Sequence, residues 1–136
     1  MTKLILDTGP LVASLVGGDP KHERIMDLLN TVVTPLHTCE AVVIEACFLM
    51  RKYRDGQDAI LSLISRGVLR CDFRLSVEIE PVKSLMRKFA DVPMSLADAC
   101  LVRMTELDPK ATVLTFDSDF RVYRRHKRQL VPTLMP

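Results

Sequence analysis

Two carboxylates stand two residues apart in the stretch TFDSDF, residues 115–120, directly after the apolar run at 111–114. An acid that ends an apolar segment is carried to the edge of a core, where it can bind a cation or move a proton. The arrangement recurs along the chain. Leu4-Ile5-Leu6 runs into Asp7, Glu45 is the only charge between Ala41 and Met50, and Asp98 is the only charge between Val92 and Leu101. Carboxylates brought together raise each other's pKa, and a hard divalent cation relieves that repulsion. Mg²⁺ and Mn²⁺ favour carboxylate oxygens and retained waters over thiols or imidazoles. Such a site activates water and stabilises charge on a phosphoryl group, the chemistry of phosphodiester hydrolysis.

Each acid also has a purely structural reading. Asp7 suits a cap for the turn into Pro10, Asp98 follows Ser95 at capping-box spacing, and Asp117 or Asp119 can cap the segment that starts at Phe120. Glu45 does not fit that pattern. It lies inside its helix between Ile44 and Ala46, with no Arg or Lys within one turn. A buried unpaired carboxylate is costly, so Glu45 is expected to be neutral, paired or metal-bound.

The elements that must position these acids alternate short apolar runs with longer helical patterns, which predicts an α/β fold with a mainly parallel sheet. A strand at 4–6 leads through Thr8-Gly9-Pro10 into a helix with Pro10 at its first position. Asp19-Pro20 caps a second helix, with Ile25, Leu28 and Leu29 on one face. Residues 31–36 form a short strand ended by Pro35, and Thr38 caps the helix that carries Glu45 to about Tyr53. Asp55 opens a helix at 57–66, which Gly67 closes. A strand at 68–73 precedes a helix from Ser76 to about Phe89, with Pro81 near its entry. Ser95 caps the helix of Asp98, and Leu107-Asp108-Pro109 stops it. Strands at 111–115 and 130–134 complete the chain. Asp7 and Asp117 thereby fall at the carboxyl ends of two strands, the edge at which open α/β sheets bind ligands.

A chain of 136 residues, 48% hydrophobic and 26% charged, is expected to fold as one domain spanning 1–136 and is too apolar to be disordered. Its longest run without Asp, Glu, Lys or Arg is residues 28–39, well short of the roughly 20 residues that span a bilayer. With no visible signal peptide, no membrane association and a cytoplasmic location are expected. Cys39, Cys47, Cys71 and Cys100 contain no CxxC pair and read as reduced core residues. His22, His37 and His126 have no metal-ligand spacing. The formal charge is +2. If four acids converge, the remaining 13 acidic side chains face 19 basic ones, a body suited to a polyanionic substrate.

The segments LILDTGPLVA, VVIEACFLM, MSLADACLVRM and VLTFDSDF, in this order, resemble the four acidic motifs of PIN-domain nucleases. The resemblance covers the chain from Lys3 to about Leu130, and at this length it is greatest to the VapC-type toxins of prokaryotic toxin–antitoxin pairs. It implies a three-layer fold, with a five-stranded, mainly parallel sheet between helices. It also implies Mg²⁺- or Mn²⁺-dependent endoribonuclease activity and a small antitoxin protein as partner. By the same resemblance Asp7, Glu45, Asp98 and Asp117 are the catalytic and metal-binding acids, Asp119 is a further metal candidate, and Thr8 and Thr115 are supporting polar groups. Gly9 departs from the family, many members of which carry Ser or Asn there. Of the paired acids, Asp117 is favoured as the ligand because it follows the strand directly.

Two other functions compete with this reading. A phosphotransfer site of the haloacid-dehalogenase kind needs an Asp where Gly9 stands, and one of the response-regulator kind needs a Lys that residues 115–117 lack. The alternative is a non-catalytic PIN-like module that binds RNA or protein, against which the complete acid set argues. Arg121, Arg124, Arg125, Lys127 and Arg128 form either a solvated helix face or an RNA-phosphate patch; aromatic residues are too sparse for much base stacking, and of the nearby candidates Phe120 and Tyr123, Phe120 reads rather as core. The apolar positions Ile60, Leu61, Leu63, Ile64 and Val82, Leu85, Met86, Phe89 exceed what one small sheet must cover, which predicts a homodimer and an antitoxin groove.

Overall fold

The computed structural model describes residues 3–33 and 35–136. Strand β1, Lys3–Leu6, pairs in parallel with β4, Ala111–Leu114, on one side and with β2, Leu36–His37, on the other. Outside these lie β3, Leu69–Arg70, and β7, Thr133–Leu134, giving a five-stranded parallel sheet in the order β3-β2-β1-β4-β7. Ile5, Leu6, Val113 and Leu114 are all buried, as strands covered on both faces require. A separate antiparallel hairpin joins β5, Arg124–Arg125, to β6, Gln129–Leu130.

Among the described residues six helices flank the sheet: α1 Thr8–Leu15, α2 His22–Leu29, α3 Glu40–Met50, α4 Gly56–Ser65, α5 Ile79–Lys88 and α6 Leu96–Leu107. The last of these buries Ala97, Ala99, Cys100, Leu101, Val102, Met104 and Thr105 and packs against α3, α5 and β4. A helix enclosed on most sides must be apolar nearly all round, so its one early acid, Asp98, stands at the end where the enclosure stops. No helix among the described residues is long and apolar enough to cross a membrane. All four cysteines are free; Cys39 and Cys100 are buried, while Cys47 and Cys71 are half-buried.

Several boundaries differ from the sequence expectation, each for a local reason. Pro10 occupies the third position of α1, because Asp7 takes the cap; a first-turn proline still costs no helical hydrogen bond. Asp19 accepts the Lys21 N–H, and α2 begins only at His22. Of the strand expected at 31–36, Thr34 lies outside the described residues. The observed strand starts after Pro35, which has no N–H to donate, with Leu36 N–H bonded to the Val68 carbonyl at 2.8 Å. Thr38 is not a cap: its buried hydroxyl donates to the Leu6 carbonyl at 2.8 Å and ties β2 to β1, while Cys39 caps α3, which ends at Met50 rather than near Tyr53. The segment expected as a strand at 68–73 keeps only Leu69–Arg70, and α5 starts at Ile79 rather than Ser76. Residues expected as one strand at 130–134 divide between β6 and β7. The basic run is no helix face, since it forms a 3₁₀ turn at Ser118–Arg121 and the β5–β6 hairpin, turned by His126 and Lys127 at φ 46° and 71°.

The surplus of apolar surface also lies elsewhere than expected. Ile60, Val82, Leu85 and Phe89 are buried in this chain's own core, with Leu63, Ile64 and Met86 packed against it. Leu61 is exposed, and α3 carries a group of exposed apolar side chains, with Ile44 70%, Phe48 59% and Leu49 41% exposed.

The turn between α3 and α4 depends on a close approach. A Cβ on Gly56 would stand 2.1 Å from the Met50 carbonyl oxygen. Gly56→Ala is therefore expected to lower stability by about 2 kcal/mol or more, read as a shift in the denaturant midpoint. Gly17→Ala, which meets nothing within 4 Å, should change it by less than about 0.5 kcal/mol.

Candidate active site

The register of β1 on β4 sets Leu6 opposite Leu114, so the next residues, Asp7 and Thr115, leave the sheet side by side. Asp7 uses both carboxylate oxygens. Oδ1 accepts the Thr8 N–H at 2.8 Å and caps α1, while Oδ2 accepts the Thr115 hydroxyl at 2.7 Å. The same Thr115 oxygen, fully buried, accepts the Asp117 N–H at 3.0 Å. Asp117 Oδ1 in turn accepts the Asp119 N–H at 2.9 Å and starts the 3₁₀ turn. One hydroxyl thus fixes the side chain of one acid and the backbone of the next.

Asp98 reaches the same place from α6. Ser95 Oγ accepts its N–H at 3.0 Å, but the Asp98 carboxylate does not close the capping box. Its Oδ2 accepts the Tyr123 hydroxyl at 2.7 Å. Tyr123 is fully buried, with its ring edge-on to Phe89 and Phe120 at 5.4 and 5.1 Å. Neither Tyr123 nor Phe120 is available for stacking on a base. Tyr123 acts as a positioning residue for Asp98, a role that its place inside a basic run gave no sign of.

These residues converge. Asp7, Thr8, Gly9, Glu45, Asp98, Asp117 and Asp119 line one open cleft of ≈ 550 Å³, closed by Leu49, Pro93, Ser95 and Phe116. Thr115 stands beneath it through its two hydrogen bonds. Glu45 corrects the sequence argument, because it is exposed on α3 rather than buried. Its isolation among apolar residues reflects the apolar neighbours on both sides of α3, half of them core and half exposed.

The basic run does not line this cleft. Arg124 donates to the carbonyls of Arg121, Val122 and Tyr123 at 2.7, 3.0 and 2.9 Å, and Arg125 to that of Thr105 at 2.8 Å. Lys127 borders a different cleft, with Pro81, Lys88 and Glu106. Arg121, Lys127 and Arg128 are exposed.

Burial pushes the Asp7 carboxyl above its ordinary range, against the lowering effect of Thr115 and Thr8, and the charges of Glu45 and Asp117 add to the rise. Burial likewise raises Asp98; the Tyr123 hydroxyl opposes it and the charges of Asp7 and Asp117 reinforce it. Burial and the bond to Asp98 push the Tyr123 phenol far up, which keeps it a donor.

Among the described residues, no three Asp, Glu, His or Cys side chains stand close enough together to hold a metal ion as they are. The cleft thus gathers the acids without bringing three into joint contact. That donor set does not make a dehydrated cage, but it fits a hard divalent cation that keeps most of its waters and uses one or two carboxylates. The buried Thr8 hydroxyl has no protein partner and suits the same hydrated ion.

Comparison with known proteins gives the family and the fold. A family model described as PIN domain matches residues 4–126. Ribonuclease VapC26 of Mycobacterium tuberculosis is 27% identical over 131 residues, 95% of this chain and 93% of the relative. The fold is similar to that of VapC20 from Mycobacterium tuberculosis, a sarcin-ricin loop cleaving toxin, with a TM-score of 0.77 and 19% identity over 88% of this chain and 94% of that one. It is also similar to VapBC2 from Rickettsia felis, solved with a promoter DNA fragment, at a TM-score of 0.67 and 12% identity over 99% of each chain.

The raised carboxyls have a consequence for stability. A carboxyl whose folded pKa lies above its unfolded value favours the folded state at low pH, and that contribution is lost as pH rises through the folded pKa. Metal-free Asp98→Asn, which can still accept the Tyr123 bond through its amide oxygen, is therefore expected to melt at a higher temperature than the parent at neutral pH. The difference should shrink as pH falls toward the ordinary carboxyl range. Thermal melts in chelator across that range check it.

Proposed function

The chain belongs to the PIN-domain family, and we propose that it is an endoribonuclease, a Mg²⁺- or Mn²⁺-dependent hydrolase of RNA phosphodiester bonds. In this reading it acts in the cytoplasm as one catalytic domain, the toxin of a toxin–antitoxin pair restrained by a small antitoxin protein. The observation that carries the reading is the convergence of Asp7, Glu45, Asp98 and Asp117 from four separate segments on one open cleft. The likeness to ribonuclease VapC26 supports RNA as substrate and the toxin role.

Asp7, Glu45, Asp98 and Asp117 would hold a hydrated metal ion, one or two of them directly and the others through its waters, with Asp119 beside them. When bound there, a divalent cation lowers the pKa of water and offsets charge on the phosphoryl oxygens. The protein's own groups do the positioning. Thr115 locks the Asp7 side chain and sets the path to Asp117, while Tyr123 takes one oxygen of Asp98. Glu45 has no protein partner among the described residues and faces the cleft from a rigid helix. Because the cleft is open, a polymer can lie across it. Arg121, Lys127 and Arg128, exposed beyond the cleft, are proposed to meet the RNA backbone at a distance, while Arg124 and Arg125 hold the hairpin's own backbone.

A second copy of the chain is proposed to cover Ile44, Phe48 and Leu49, since three exposed apolar side chains on one short helix form a patch of the kind that interfaces bury. Light scattering is expected to give a dimer at tens of micromolar, roughly the range of a moderate affinity, and Phe48→Glu a monomer.

The activity has a direct test. Purified protein incubated with defined RNAs and Mn²⁺ or Mg²⁺ should cleave them, and chelator should stop it. Asp98→Asn and Glu45→Gln should each reduce the rate by about a hundredfold or more, the scale at which losing one essential polar group acts in other enzymes, while RNA binding persists. Binding without any metal-dependent cleavage by the parent protein would favour the non-catalytic alternative.

A further inference from the structure

The acidic cleft has five carboxylates in its lining and no basic residue, although its proposed substrate is a polyanion. One cation stands against the cleft wall from the side of α2. Lys21, at the start of α2, places its ammonium 4.0 Å from the centre of the Phe116 ring, and Phe116 is a wall of the cleft. The Lys21 N–H donates to Asp19 Oδ1 at 2.8 Å, which fixes the backbone from which the side chain springs. No carboxylate lies within ion-pair distance of this ammonium among the described residues.

Gly9 explains why Phe116 can stand there. A Cβ at position 9 would come within 3.0 Å of Phe116 Cδ2, so a side chain such as Ser or Asn there would push the ring aside. The side chain absent at position 9 and the aromatic wall at 116 are one arrangement, and what the wall presents at the rim is a cation. An ammonium over an aromatic face keeps its charge and three donors while losing side-chain freedom, which suits it to receive a phosphate.

We infer that Lys21, seated on Phe116, is the positioning residue that binds a backbone phosphate of the RNA strand beside the acidic cleft. This rests on the ribonuclease reading above. It assigns the grip next to the reacting phosphate to Lys21, and leaves the basic hairpin only contacts farther along the strand.

The test uses a fluorescein-labelled single-stranded RNA that the parent protein cleaves. Binding is followed by anisotropy in chelator over a series of KCl concentrations, and steady-state kinetics are measured with Mn²⁺. Lys21→Met keeps the stem and removes the charge. It should weaken binding and raise KM about tenfold, the scale of one charge-assisted hydrogen bond, with the loss falling on KM rather than kcat. The slope of log affinity against log salt should fall by about 0.7, the value for one phosphate contact on a single strand. Lys21→Arg should restore most of both. Lys52→Met is the control, since Lys52 sits over Tyr53 at 5.4 Å, outside the cleft lining. If Lys21→Met matches Lys52→Met in KM and salt slope while the parent protein cleaves RNA, the role of Lys21 is overturned and the ribonuclease reading stands. A loss confined to kcat overturns it equally. If the parent protein neither binds nor cleaves any RNA, the ribonuclease reading falls and the inference falls with it.

Discussion

Leu6 lies opposite Leu114 in a parallel pair buried on both faces, and the rest of the site depends on that register. It delivers Asp7 and Thr115 to the same edge as neighbours, 2.7 Å apart through their side chains. From Thr115 the hydrogen bonds run on to the Asp117 backbone and from the Asp117 carboxylate to Asp119. A slip of one residue would send every side chain of β1 to the opposite face, and the buried Ile5 and Leu6 forbid it. Packing of apolar residues therefore sets the position of charged ones. The sheet order places β1 and β4 side by side at its centre, where the connections diverge to either side, the place at which open parallel sheets leave a crevice.

The cost of this arrangement is electrostatic. Asp7 and Asp98 are drawn out of water and toward other carboxylates, and both are pushed toward the protonated form. The fold answers with local donors rather than with basic side chains: a backbone N–H and a hydroxyl on Asp7, a phenol on Asp98. Neutral donors hold the carboxylates in place without neutralising them, so the cleft keeps its demand for a cation. An Arg in the same position would have satisfied the acids permanently and closed the site to metal.

The charges that complement a polyanion are kept apart from the acids. The ion pairs on α6, Arg103 with Glu78 and Glu106, face away into the α5 side, and Arg124 and Arg125 are held on carbonyl oxygens near the hairpin. Lys21 meets the cleft wall over the ring of Phe116. The separation follows from the elements that carry each group. The cleft acids sit at strand ends and on α3 and α6, whereas Arg124 and Arg125 sit on a hairpin outside the main sheet and Lys21 at the start of α2.

The sequence by itself determined the α/β class, the strands ending in Asp7 and before Asp117, the helices of Glu45 and Asp98, and the Ser95 cap, because these depend on local periodicity and on residues three or four apart. Its four isolated acids, identified singly, are the ones that the cleft brings together. Tertiary structure alone decided the rest. Glu45 is exposed because the neighbours that could have buried it are far away in the chain, and helix periodicity does not reveal where a cleft opens. The hydroxyl of Thr38 ties two strands across 32 positions, and that of Tyr123 holds Asp98 across 25; each partner is set by folding and neither by spacing. Composition leaves the basic run as either a solvated helix face or a phosphate patch, and two residues with positive φ make it a hairpin. Lys21 and Phe116, 95 residues apart, carried no shared signal at all. Their contact has room because Gly9, the second residue of α1, has no Cβ to press on the ring: short-range rules fix which residues are available, and packing decides which of them meet.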